Sequence, residues 1–254
     1  MMNTDQKIIQ PKLIIMKTSN KFLILITIVI ISFMVIYDND LKAEYVKGDF
    51  KSRFHNMEQL SIKDFHNIDI LSADVIDVTI EKGPKFAVWV NKNFKDDIKL
   101  YKQGKTLMIK YTGPAEQYNY YSGAIIITCP QLDSLTTTAN TAQKVEKFQS
   151  NTYVGDIDVI GFDQQKMVLK ANRLTQIELK NNKIENMQAV IGNNSNDIGS
   201  LNINSSNQIK LANIKVNGIS ELKMSNPKIT TIEHSFSDSA SLILSGSALR
   251  LLNK

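Results

Sequence analysis

Cysteine occurs once in the 254 residues and histidine three times. A single thiol cannot form an internal disulfide, so the fold is not stapled. Three scattered histidines (His55, His66, His234) and Cys129 cannot close a zinc site, and no metal or cofactor is expected. Glycine is scarce, at 11 residues, and no glycine loop suited to cradling phosphate is present. Serines such as Ser195 lack the flanking pattern of a nucleophile elbow. Charge of one sign is also lacking: 30 Lys and Arg stand against 25 Asp and Glu. Most of that excess sits in residues 1–21, where Lys7, Lys12, Lys17 and Lys21 face only Asp5. The remainder has no concentrated basic field of the kind that grips a phosphate backbone, which argues against nucleic acid as a partner. Hydrophobic content of 43% is a globular value.

What the chain does have begins at Phe22. Residues 22–37, FLILITIVIISFMVIY, carry no charge, with lysines before them and Asp38, Asn39 and Asp40 after. This is a membrane-targeting segment, and lysine on its N-terminal side keeps residues 1–21 in the cytoplasm. As a helix, 16 residues reach about 24 Å against a hydrocarbon core of about 30 Å, a gap that flanking residues and local thinning close. An uncleaved signal anchor is the favoured reading and a cleaved signal the other. The nearest small-x-small site, Leu41-Lys42-Ala43, has a poor first position. No cysteine follows the run, which excludes a lipoprotein. Met16 is an alternative start, since Met16 to Lys21 alone makes a basic leader. The expected compartment is the bacterial inner membrane with the C-terminal part in the periplasm, or export to the envelope if the signal is cut. A lone cysteine suits an oxidising space.

Residues 38–60 are polar and weakly patterned and read as a stalk. From residue 61 the period is two. Ile68-x-Ile70, Val78-x-Ile80, Phe86-x-Val88-x-Val90, Ile98-x-Leu100 and Leu107-x-Ile109 alternate apolar with polar residues, and turn residues separate them (Lys82-Gly83-Pro84, Gln103-Gly104-Lys105). Helix is expected to be a minor component of 61–254.

The second half repeats. Met167 to Leu174 reads MVLKANRL, Ile177 to Ile184 IELKNNKI, Leu201 to Ile209 LNINSSNQI, Leu222 to Ile229 LKMSNPKI and Leu242 to Leu249 LILSGSAL. Apolar residues near Met187, Leu211 and Ile232 fall about halfway between successive copies. A unit of roughly ten residues of strand plus turn, and roughly twenty per full repeat, points to an all-β parallel solenoid. Each short strand offers two apolar side chains to one axis, and only stacking buries them. Corners must leave extended geometry without a Cβ clash, and Asn tolerates the left-handed region. Residues 172–226 hold 13 Asn in 55, so Asn181/Asn182, Ser205/Ser206, Ser225/Asn226 and Ser245/Gly246 are read as stacked corners. An antiparallel sandwich is the alternative, but it gives no reason for one phrase to recur in one half only.

Phe65-His66-Asn67-Ile68, Val78-x-Ile80-x-Lys82-Gly83, Gly104-x-x-Leu107-x-Ile109 and Ile125-x-Ile127-x-x-Pro130-x-Leu132, with Leu135, resemble the start of the head GIN domain family, autotransporter-adhesin-like bacterial envelope proteins of undetermined function. The resemblance covers about residues 60–250. It implies a right-handed β-helix beyond a membrane-targeting segment, and it carries no catalytic residues across.

Candidate chemistry is thin. Asp156 and Asp158 of GDIDVIGFD share one strand face, and Asp163 follows; β-helical polysaccharide enzymes use paired carboxylates as acid and base or nucleophile. A solvated strand face beside a glycine turn is the favoured reading, because no Arg, Lys or His constellation lies close to them in sequence. Tyr118, Tyr120 and Tyr121 crowd one loop and Trp89 points away from Val88 and Val90, a set that can stack on a sugar or anchor a protein. The histidines read as surface or loop residues and Cys129 as an inert buried thiol. The expectation is a non-enzymatic, membrane-anchored, adhesin-like scaffold that binds protein or glycan on the outer faces of its β-helix. The alternatives are a polysaccharide-active enzyme using Asp156 and Asp158, or a structural or signalling envelope subunit.

Overall fold

The computed structural model describes residues 17–48, 51–113, 121–139, 155–195 and 197–253. The chain divides into two compact units, Met1–His55 and Asn56–Lys254. In the first, α1 spans Thr18–Lys47 and stops at Gly48, whose φ of 69° closes the helix in the left-handed region. The apolar run lies inside this helix with its side chains exposed. Its two hydroxyls turn back onto the helix: Thr27 Oγ1 donates to Leu23 O and Ser32 Oγ to Ile28 O, both at 2.8 Å. The segment apolar enough to cross a membrane extends over Thr18–Ala43, 26 residues, or about 39 Å of helix. The 16-residue run therefore does not stand alone; polar flanks continue the helix at both ends.

The second unit is mostly strand. Its first half holds β1 (Met57–Leu60), β2 (Asn67–Ile70), β3 (Ile76–Lys82), β4 (Ala87–Asn91), β5 (Ile98–Gln103), β6 (Thr106–Tyr111), β7 (Tyr121–Cys129) and β8 (Ser134–Thr137). Its second half holds β9 (Gly155–Ile160), β10 (Asp163–Ala171), β11 (Thr175–Lys180), β12 (Lys183–Ile191), β13 (Gly199–Ile203), β14 (Gln208–Val216), β15 (Glu221–Ser225), β16 (Lys228–Phe236) and β17 (Ser241–Ser245). A 3-10 helix, Gly246–Asn253, follows. The first sheet runs β1-β4-β7-β3-β9-β11-β13-β15-β17 and the second β16-β14-β12-β10-β8-β2-β6-β5. From β8 onward the chain alternates between sheets; β8 and β9 pair in parallel with β2 and β3, and from β10 each strand pairs in parallel with the strand two before it. Both sheets are mixed, because β1 and β4 in the first and β5 in the second pair antiparallel, and neither closes among the described residues. Met57–Leu60, within the span expected to be stalk, is thus the antiparallel edge of the first sheet.

Register makes the core. Ile157, Ile177, Leu201, Leu222 and Leu242 stand in one row across the first sheet and Val159, Leu179, Ile203, Met224 and Leu244 in the next. In the second sheet Met167, Met187, Ala212 and Ile232 line up. The apolar residues of the segments carrying the family resemblance, Phe65, Ile68, Val78, Ile80, Leu107, Ile109, Ile125, Ile127, Leu132 and Leu135, are buried core, whereas Lys82, Gly104 and Pro130 are exposed. Near the halfway position Leu211 faces outward beside Asn186 and Thr231, and Ala212 takes the inward place. One detail differs from the sequence reading: MVLKANRL belongs to the second sheet, whereas the other four copies start in the first.

The corners use asparagine as expected. Asn181 and Asn226 have φ of 57° and 49°. Asn182 accepts from Phe162 N at 2.9 Å and donates to Val159 O at 2.9 Å and Asn207 Oδ1 at 3.1 Å; Asn207 donates to Leu179 O at 2.6 Å. Asn181 N donates to Ser206 Oγ and Ser247 N to Asn226 Oδ1. These bonds run from one repeat to the next and satisfy groups that the turn would otherwise strand away from water.

Candidate functional site

Period-two geometry sends every second residue of the first sheet outward, and pairing joins those residues into rows. One row reads Gln59, Trp89, Ile126, Thr79, Asp158, Glu178, Asn202, Lys223 and Ile243 across all nine strands. Trp89 and Asp158, far apart in sequence, therefore stand on one face, three strands or about 14 Å apart. Trp89 is half-buried between the buried Val88 and Val90. Tyr118 and Tyr120 lie outside the described residues, as does the side chain of Tyr121, whose backbone belongs to β7.

Asp156 and Asp158 sit at exposed and half-buried positions of β9. Their partners are specific. Gln176 Nε2 donates to Asp156 Oδ1 at 3.1 Å, and the Asp156 backbone N–H donates to Asp77 Oδ1 at 3.0 Å. Lys180 Nζ lies 2.8 Å from Asp158 Oδ1 and 3.1 Å from Glu178 Oε2. Burial, followed by the charges of Asp77, Asp158 and Glu178, pushes the Asp156 carboxyl above its ordinary value, against a smaller opposing pull from Lys180. Burial alone would lower the Lys180 ammonium, but the hydrogen bonds to Asp158 and Glu178 outweigh it and raise it. The pair is thus embedded in a six-residue polar network with one lysine shared between two carboxylates. Sequence reasoning missed Asp77, Glu178 and Lys180, because only strand register shows that they meet. Asp163, the third acid of the motif, lies on the other sheet near Lys183, at 3.8 Å. Among the described residues no cluster of three or more His, Cys, Asp or Glu is arranged to hold a metal.

The two sheets differ in outward charge. Strands β9, β11, β13, β15 and β17 carry Asp156, Asp158, Glu178 and Glu221 against Lys180 and Lys223. Strands β10, β12, β14 and β16 carry six lysines against Asp163, Glu185 and Glu233. Three of those lysines, Lys183, Lys210 and Lys228, rim an open concavity of about 470 Å³ with Ile184 and Pro227 in its lining. Lys210 pairs with Glu185 at 3.0 Å.

The remaining candidates are placed as follows. His55 is exposed, whereas His66 is half-buried with its ring 6.3 Å from that of Phe86. His234 ends the inward row Leu169, Ala189, Ile214, and its ring lies 5.3 Å from that of Phe236. Cys129 is fully buried, and desolvation pushes its thiol up to about 12; it is not a nucleophile at neutral pH.

No family model matches the chain, and no curated protein sequence matches it. Solved structures similar to it include a protein described as a putative adhesin from Bacteroides fragilis, 11% identical, with a TM-score of 0.46 over 74% of this chain and 95% of the other. Another described in the same words, from Parabacteroides merdae, is 11% identical, with a TM-score of 0.37 over 74% and 95%. A third, described as a putative lipid binding protein from Parabacteroides distasonis, is 16% identical, with a TM-score of 0.30 over 75% and 94%.

Proposed function

We propose that this protein is a membrane-tethered β-helical scaffold of the bacterial envelope, of the head GIN kind, whose outer sheet faces bind protein or glycan without catalysis. Residues 1–21 stay in the cytoplasm, 22–37 cross the bilayer, 38–55 lead away from it, and 56–254 form the binding body in the periplasm. The observation that carries the reading is the parallel register from β8 to β17. It buries the core in rows and leaves outward rows free to vary without touching it. The row from Trp89 to Asp158 supplies an aromatic platform and charged hydrogen-bonding groups on one rigid face, a combination suited to a sugar or a peptide. A glycan array and cell-surface crosslinking with the full chain test this. Trp89→Ala is expected to reduce capture at least several-fold, while Gln188→Ala on the other sheet leaves it unchanged. Equal capture by both variants would remove Trp89 from the site.

The raised carboxyl of Asp156 beside Asp158 supports a second reading, a polysaccharide-active enzyme using the two carboxylates as acid and base or nucleophile. Cleavage of acidic glycans that disappears in both Asp156→Ala and Asp158→Ala would establish it and displace the first.

A further inference from the structure

The edges of the two sheets are not alike. A sheet edge presents unpaired backbone groups, and proteins defend it with charge. Three of the four edges here follow that rule. On β1, Glu58 lies 2.9 Å from Lys95; β5 carries Lys99 and Lys102; β16 carries Lys228, Glu233 and His234. The fourth edge, β17, reads Ser-Leu-Ile-Leu-Ser, with no charged residue from Ser239 to Leu249. It has no strand on its outer side among the described residues. Its inward Leu242 and Leu244 are only half-buried, whereas Leu222 and Met224, their counterparts one repeat earlier, are 0% and 2% exposed. Its outward Ile243 is 47% exposed in the row where the preceding strand has Lys223. The exposed large apolar residues outside α1, among the described residues, are Ile219, Ile243 and Leu249, all in the last two repeats.

We propose that β17 pairs antiparallel with β17 of a second copy, about a two-fold axis through Ile243. The order of residues in the strand selects a second copy over an unrelated strand. The strand reads the same in both directions, so antiparallel pairing sets Ile243 against Ile243, Leu242 against Leu244 and Ser241 against Ser245. Hydrogen-bond direction then agrees with that register. The Ser241 N–H donates to Ser220 O, and Ser245 O accepts from Asn226 N. Residues 241, 243 and 245 are therefore turned toward β15. Leu242 and Leu244, alternating with them, present N–H and C=O to the open edge. Opposed Leu242 and Leu244 exchange four hydrogen bonds, and Ile243 faces its mate in the close, non-hydrogen-bonded position. The apolar rows ending at Leu242 and Leu244 continue into the rows of the second copy. The contact is isologous and closes at two.

Cysteine crosslinking of the full chain in membranes tests the register. Cys129 is fully buried, so an introduced thiol is the one available. In a non-hydrogen-bonded antiparallel pair the Cβ atoms are about 4.5–5.5 Å apart, close to disulfide reach. Ile243→Cys is expected to give disulfide-linked dimer on mild oxidation. Lys223→Cys, about 14 Å from its mate across three strand spacings, is expected to give roughly tenfold less. Ile243→Lys puts two like charges at the axis, is compatible with folding because the position faces solvent, and is expected to give a folded monomer whose cooperative unfolding no longer depends on protein concentration. Crosslinking of Ile243→Cys no stronger than that of Lys223→Cys, a disulfide to a different protein instead of a dimer, or an Ile243→Lys variant that stays dimeric would each overturn the proposal.

Discussion

At the scale of single residues, the inward row of the first sheet is the most exacting place in the body. Leu222 is fully buried between Leu201 and Leu242. Leu222→Asp forfeits about 2 kcal/mol of apolar burial and adds an unpaired buried charge, so thermal unfolding is expected to show no folded population. Asn202, half-buried on the opposite side of β13, tolerates Lys at a cost under about 0.5 kcal/mol by the same measurement. Asn182 is 1% exposed and joins three repeats. Asn182→Ala removes the buried acceptor of the Phe162 N–H and the bonds to Val159 O and Asn207 Oδ1, and is expected to cost about 2 kcal/mol in denaturant unfolding. Asp156 behaves in the opposite sense. Its folded carboxyl titrates above the ordinary 3.8, so its contribution to stability is present at low pH and lost as pH rises through the folded value. Asp156→Asn is therefore expected to raise the melting temperature at pH 7 and to have little effect near pH 3. A melting curve lowered at pH 7 would place a needed ionised carboxylate there.

At the scale of elements, α1 is legible because its signal is compositional. Lys21 and Asp38 bracket an uncharged stretch. Ile30→Lys, at the middle of that stretch, costs about 3 kcal/mol of membrane insertion and is expected to release the chain from membranes on alkaline extraction. The strands were legible for a different reason. Alternation at Ile177-x-Leu179 or Leu222-x-Met224 states which side is inward, and the corner asparagines state where the chain turns. What alternation cannot state is which strand lies beside which. The copy at Met167 looks like its successors yet belongs to the other sheet, because both sheets use the same two-residue period. Lys210 and Leu211 are consecutive outward residues within β14, a break in phase that leaves no mark in residue type. Asp77, Glu178 and Lys180 meet only through pairing, so the network around Asp156 and Asp158 could not be assembled from spacing. His66 illustrates the same limit, as its packing on Phe86 follows from tertiary proximity.

At the scale of the whole body, the alternation of sheets sorts charge as well as apolar residues. Each strand after β8 sends its outward residues to one sheet or the other, and carboxylates predominate on the first while lysines predominate on the second. Lys170→Glu with Lys215→Glu, on the lysine-bearing side, is expected to lower the salt needed for elution from a sulfonated matrix more than Lys180→Glu with Lys223→Glu does. Both double variants change net charge equally, so a difference isolates where the charge sits. The sorting has a mechanical consequence. A body with opposite signs on two broad surfaces is a permanent electric dipole, and any charged surface within a Debye length of about 8 Å exerts a torque on it before contact is made. Encounter is then selected by orientation: an anionic polymer meets the amine-studded side first, and the acid-bearing side with Trp89 is turned toward whatever lies behind.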